Sequence, residues 1–314
     1  MGLVLMSKIR DGKVSLTGLL LSSVGTPSST PTTPIATEPS VNWGWSTITF
    51  DPSPLQYLAS PSPGTGRSKR AKRWNQKATK KDMQRQAREQ ELRLLSLYSE
   101  SSDAYDSSSA SSWEKIAGNS QITVSLLDSI YPPTIKVVLD ILAPIEYVEF
   151  YLDPDHWSKT QHIQDPFFAN WEVLHDLGPI SPRSSKSPPV SISIGRRTTK
   201  RLLTFGRRDL VFACFKESLP SLNATRFAAL SISHPSHPLV NPSTPYTRAF
   251  QDLIITASAL SASVTHVECF MKVDLGGNIP KWVFRKTVGQ TGLMAFKAIS
   301  KKAVESFAKG RMIT

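Results

Sequence analysis

The stretch that decides the fold is Val264 to Phe284, VTHVECFMKVDLGGNIPKWVF. Its first half, Val264–Val273, is a strand-like run. Asp274-Leu275-Gly276-Gly277 interrupts that pattern, and the two glycines supply the backbone freedom of a tight reversal. Asn278 stands where a helix is capped and Pro280 just inside it, where a missing N–H costs nothing. Trp282, Val283, Leu293, Phe296, Ile299, Ala303 and Phe307 then give one apolar helix face, and Lys281, Arg285, Lys297, Lys301 and Lys302 a basic one. Gly289 and Gly292 mark a bend. A long strand thus feeds directly into a long amphipathic helix.

Upstream, strand-like runs recur at Ile122–Leu126, Ile135–Leu142, Trp171–Leu174, Ser191–Ile194, Leu202–Phe205, Leu210–Phe215, Phe227–Ile232, Tyr246–Phe250 and Leu253–Ala257. The links between most of them are short, which predicts an antiparallel meander. Ala143–Leu152 reads as a short helix, followed by a polar helix or loop with His156, Trp157 and Asp165, and Pro179–Pro189 reads as a loop. The fold class is therefore α+β: a curved antiparallel sheet wrapped around a long C-terminal helix, a helix-grip arrangement.

Residues 1–78 carry a different texture. Thr26–Ser40 is dominated by Ser, Thr and Pro, and Pro52, Pro54, Pro61 and Pro63 interrupt the residues after it; such a segment buries too little apolar surface to offset its ordering entropy. Trp43, Trp45, Phe50 and Tyr57 form an aromatic cluster suited to docking. Arg67, Lys69, Arg70, Lys72, Arg73, Lys77, Lys80 and Lys81 form a basic block. A helix is expected from Thr79, with Asp82 completing a capping box, through Met83, Ala87, Leu94, Leu95 and Tyr98, and ending in the Ser-rich stretch Ser99–Ser112. This divides the chain into a disordered, basic region 1–78 and a folded region 79–314.

Apolar residues make up 39% of the 314 residues, below the roughly 45–50% of globular domains, as a long unfolded segment requires. The net charge of +12 draws the protein to an anionic partner, whether nucleic acid, an acidic membrane surface or an acidic protein, and charge alone does not choose among them. Cys214 and Cys269 make no disulfide framework and point to a reducing compartment. The cytoplasm is the expected location; the basic, Ser-rich opening and the basic block leave organelle targeting and nuclear import open. No apolar run reaches the roughly 20 residues of a spanning helix. His234 and His237 lack a third ligand, so no metal is expected. No Ser/His/Asp ordering, phosphate-cradling glycine loop or paired carboxylates stand out, so neither an enzyme nor a cofactor is expected.

Three stretches resemble START domains, the lipid-transfer domains related to steroidogenic acute regulatory protein. Val264–Phe284 resembles the family's last strand, its Asp-x-Gly-Gly turn and the Ile-Pro-x-Trp opening of its C-terminal helix. Arg207-Arg208-Asp209-Leu210-Val211 resembles its Arg-Asp-Phe-Val strand, and Ser233-His234-Pro235 through Tyr246-Thr247-Arg248-Ala249 resembles the two strands around its long loop. A fainter likeness covers Ala143–Asp176, where Trp157 and Asp165 are separated although the family has an adjacent Trp-Asp pair.

The resemblance implies a lipid-sized tunnel closed by the C-terminal helix, and a carrier or sensor of a sterol, phospholipid or other apolar ligand that touches anionic membranes transiently. The register it implies turns Phe212 and Cys214, Phe227, Ala229 and Ser231, and Val267, Cys269 and Met271 inward, with Val283, Thr287 and Met294 on the helix. Arg208 and Arg248 become polar contacts at the tunnel end. Cys214 stands where some members carry a cavity arginine, which argues against a phospholipid head group on that strand. The alternative is a START-like regulatory or scaffold protein acting through its basic N-terminal region.

Overall fold

The computed structural model describes the backbone of residues 9–10, 13–14, 71–106, 113–127, 133–181, 188–201, 206–234, 236–237, 246–276 and 281–310. The chain divides into two units, Met1–Asn42 and Trp43–Thr314. In the first, β1 (Ile9–Arg10) pairs antiparallel with β2 (Lys13–Val14). The expected aromatic cluster at residues 43–57, the strand at Leu202–Phe205 and the capping positions Asn278 and Pro280 lie outside the described residues.

The second unit is built on a ten-stranded sheet. Its strands are β3 (Glu114–Gly118), β4 (Ile122–Leu127), β5 (Thr134–Ile141), β6 (Phe168–Ile180), β7 (Val190–Thr199), β8 (Arg207–Leu219), β9 (Ala224–Ser231), β10 (Tyr246–Arg248), β11 (Phe250–Ser261) and β12 (Val264–Asp274). They are ordered β3-β4-β5-β12-β11-β9-β8-β7-β6, every neighbour antiparallel. The meander departs from expectation at one point: Tyr246–Phe250 is not one strand, and β10 pairs with β8 in parallel. Among the described residues four α-helices accompany the sheet: α1 (Ala71–Asp106), α2 (Ile145–Leu152), α3 (Trp157–Gln164) and α4 (Lys281–Ala308).

Both faces of the sheet are covered, which explains why β8 reads as the unbroken run LVFACF rather than as an alternation. Side chains on successive residues point to opposite faces. On the inner face, Ile122, Val124, Val137, Leu139, Phe227, Val267 and Cys269 pack against Phe296, Ile299 and Ala303 of α4 and Val148, Tyr151 and Leu152 of α2. A second inner cluster joins Trp157 of α3 to Trp171, Leu210, Phe212 and Cys214. There Gly195 is required by contact: a Cβ on it would stand 2.3 Å from the Trp171 ring.

The outer face is covered by α1. Leu94, Leu97 and Tyr98 pack on Val211, Ala213, Phe215 and Leu230. The Tyr98 ring stacks on Phe215 at 5.0 Å between centroids, and its hydroxyl donates to Glu217 Oε2 at 2.7 Å. This helix differs from expectation at its start. It begins at Ala71, so Thr79 sits inside it rather than capping it, and the boundary at 78/79 falls within one helix. It ends at Asp106, within the Ser-rich stretch expected to end it; the turn at Ser102 stays helical because that side chain is buried against the fold at 5% exposure, which outweighs the weak helix propensity of serine. Pro179 likewise lies in a strand, opposite Ser191; β6 is an edge strand, where a missing N–H is tolerated.

Candidate functional site

Between the two inner clusters the sheet and helices do not meet, and a cavity of about 200 Å³ remains. Its walls follow from strand period: Arg208, Leu210 and Phe212 on β8, Gln251, Leu253 and Ile255 on β11, and Cys269, Met271 and Val273 on β12 all face inward. Thr291, Gly292, Ala295, Phe296 and Ile299 of α4 form the roof, recurring at three- and four-residue spacing. Trp157, Gln161 and Gln164 of α3, with Asp165 and Phe167 after it, close one side, and Arg197 and Thr199 of β7 complete it.

The lining is apolar apart from a few fixed polar groups. Arg197 forms an ion pair with Asp165, both side chains about 13–14% exposed, and Asp165 Oδ1 also accepts the Phe167 N–H at 2.8 Å. Gln164 Nε2 donates to the Tyr151 carbonyl at 2.5 Å, and Gln251 Nε2 to Met271 Sδ at 3.1 Å. Arg208 donates to the Leu275 carbonyl at 2.5 Å and the Gly206 carbonyl at 2.8 Å, tying the β12–α4 turn to β8. Burial pushes the Cys269 thiol far above its ordinary value and that of Cys214 likewise.

Of the residues singled out from the sequence, the structure brings Arg208, Phe212, Cys269 and Met271 together around the cavity. Phe227 and Val267 lie in the packed inner cluster under α2 and α4, and Cys214 and Ala229 in the cluster around Trp157. Ser231 pins β9 to β11, its hydroxyl donating to the Gln251 carbonyl at 2.9 Å and accepting the Gln251 N–H at 2.7 Å. Arg248 lies on the outer face in a two-point ion pair with Asp209, at 3.1 and 2.9 Å. Met294 is 47% exposed: the inward residue is Ala295, about 100° around the helix. The side chains of Val283 and Thr287 lie outside the described residues.

Sequence reasoning missed Gln161, Gln164, Asp165 and Arg197 as lining residues, since α3 and β7 reach the cavity only through tertiary packing. It also treated His234 and His237 as a pair. His175 of β6 joins them, its ring 5.4 Å from His234, which is 5.7 Å from His237. The His175 and His234 rings stack and the His237 ring is tilted against His234, and among the described residues no cluster able to hold a metal is present.

An open, curved antiparallel sheet gripping a C-terminal helix over an interior cavity defines the helix-grip class, and the chain has the fold of START domains. Human StAR-related lipid transfer protein 5 superposes with a TM-score of 0.53 at 14% identity, over 68% of this chain and 96% of that one. Human STARD10 gives 0.52 at 15% identity, over 66% and 80%. No family model and no curated protein matches the sequence.

Proposed function

We propose that this domain binds one apolar molecule in the cavity and acts as a lipid carrier or sensor, not as an enzyme. The observation that carries the reading is the cavity itself. At about 24 cal/mol per Å³, an empty space of about 200 Å³ forgoes roughly 5 kcal/mol of packing, comparable with the whole net stability of a modest domain. A fold retains such a space at that cost when something fills it. The likeness to a protein named for lipid transfer supports the same reading.

The volume narrows the ligand. Pockets for drug-sized molecules span roughly 300–1,000 Å³, so a cavity of about 200 Å³ accepts a compact or single-chain molecule as it stands. A sterol or a two-chain phospholipid requires α4 to move outward. Loading at an anionic membrane fits the net charge of +12 and the exposed lysines of α4, Lys301 being 75% exposed at its side chain.

The test is to purify the full chain, extract it with organic solvent and identify what is released by mass spectrometry. One apolar species near equimolar ratio is the expected result. A well-folded, empty protein that takes up no fluorescent sterol, phospholipid or fatty acid would overturn the proposal.

A further inference from the structure

β8 delivers a buried cation to the cavity wall. Arg208 is 5% exposed and lines the cavity. Its Nε donates to the Leu275 carbonyl at 2.5 Å, its Nη1 to the carbonyls of Gly206 at 2.8 Å and Arg207 at 3.4 Å, and its Nη2 to that of Gly276 at 3.4 Å. All four acceptors are neutral. Five N–H groups against four acceptors leave one Nη2 hydrogen uncommitted among the described residues.

The nearby carboxylates are engaged elsewhere. Asp209, the next residue along the strand, projects to the opposite face and holds Arg248; Asp165 is taken by Arg197. Among the described residues no ion pair reaches Arg208. The charged residues lining the cavity are Asp165, Arg197 and Arg208, one more cation than anion. A second donor is also unspent there, because Arg197 Nε is buried with no hydrogen-bond partner among the described residues. Burial alone lowers the Arg208 pKa from its ordinary value, with no neighbouring carboxylate to offset it. A buried charge left without a counter-charge is strongly unfavourable, and a ligand bearing one relieves the cost.

We infer that the cavity selects an apolar molecule with a single anionic head group, its acidic oxygen placed at Arg208 and its hydrocarbon against Leu253, Ile255, Cys269 and Phe296. This rests on the binding role proposed above and adds the head-group class. Carboxylates and phosphate monoesters share the required chemistry.

The experiment titrates the delipidated full chain with decanoate, decyl phosphate and decanol by calorimetry. The expected result is that at least one anion binds about tenfold or more tighter than decanol; which anion does so identifies the source. Decanol binding as tightly as both anions overturns the head-group inference and leaves the cavity reading standing. Failure of all three to bind overturns both.

Arg208→Gln is expected to reduce the preference for the anion to within about twofold. Because Arg208 also ties down the β12–α4 turn, Asp165→Asn provides a second variant. It keeps the acceptor for the Phe167 N–H and leaves Arg197 uncompensated, so the anion is expected to bind about threefold tighter or more. Weaker anion binding by a folded Asp165→Asn protein counts against the inference.

Discussion

Asp209 and Arg208 are adjacent in sequence and opposite in role. Strand alternation sends Arg208 to the cavity and Asp209 to the outer face, where Arg248 meets it at two points and Arg196 Nε lies 3.6 Å away. With 5% of its side chain exposed, Arg248 has no water to replace that partner. Asp209→Ala is expected to cost about 3–5 kcal/mol, the range for breaking a buried pair from one side, read as a lower urea midpoint at unchanged slope. The same corner holds His234, whose pKa is brought down to about 4 by burial and by His175, His237 and Arg248. The unfolded chain, titrating near 6.5, then binds a proton that the folded chain refuses. The stability this residue contributes is therefore full above about pH 6.5 and is lost as pH falls towards 4. Thermal melts between pH 7.5 and 4 should show a steeper decline for the native chain than for His234→Gln, and parallel declines would refute the assignment. The sequence reading set Arg248 beside Arg208 at the tunnel end, whereas Arg248 pairs with Asp209 on the other face. It did not show that His175 joins two histidines from a distant loop, because no local period links β6 to the segment after β9.

At the scale of elements, α1 shows what periodicity reveals and what it leaves out. Leu94 and Tyr98 stand one turn apart and were legible as an apolar face; the surface they cover was not. That surface is the outer side of β7, β8 and β9, whose apolar residues read in sequence simply as a continuous run. Leu94 is 1% exposed and lies among Leu97, Tyr98 and the sheet residues Val211, Phe215 and Leu230. Leu94→Ala is expected to cost about 2–5 kcal/mol in a chemical denaturation curve, the range for such truncations in a packed core. A change below about 0.5 kcal/mol, typical of a surface site, would mean that α1 does not dock there in solution. The start of the helix escaped sequence reasoning for a local reason. Nothing between Ala71 and Thr79 is a strong breaker. On α4 the error was rotational: the face was found, but Met294 was placed inward where Ala295 belongs.

For the whole molecule, the fold was legible because one segment joins a strand to a helix through a glycine turn, and the preceding strands leave that helix only the sheet to pack on. The cavity's position was not legible. Strand parity identifies the inner face, but whether an inner residue meets a neighbour or an empty space depends on how far α3 and α4 stand from the sheet, which no single strand encodes. Phe227 and Val267 share the inner face with Cys269 and are packed, whereas Cys269 also opens on the cavity. The same distinction yields a test that treats the molecule as a unit. Ala295→Phe places a ring in the space of about 200 Å³ that Ala295 helps to roof. If a ligand normally occupies it, the variant should purify without one, while its melting temperature equals or exceeds that of the extracted native chain, since filling a void restores packing. The native chain, extracted and then reloaded, should recover stability with ligand concentration as RT ln(1 + [L]/Kd), and the variant should not respond. A variant that still carries the native ligand, or a native chain whose melting temperature ignores it, would place the binding site somewhere other than beneath α4.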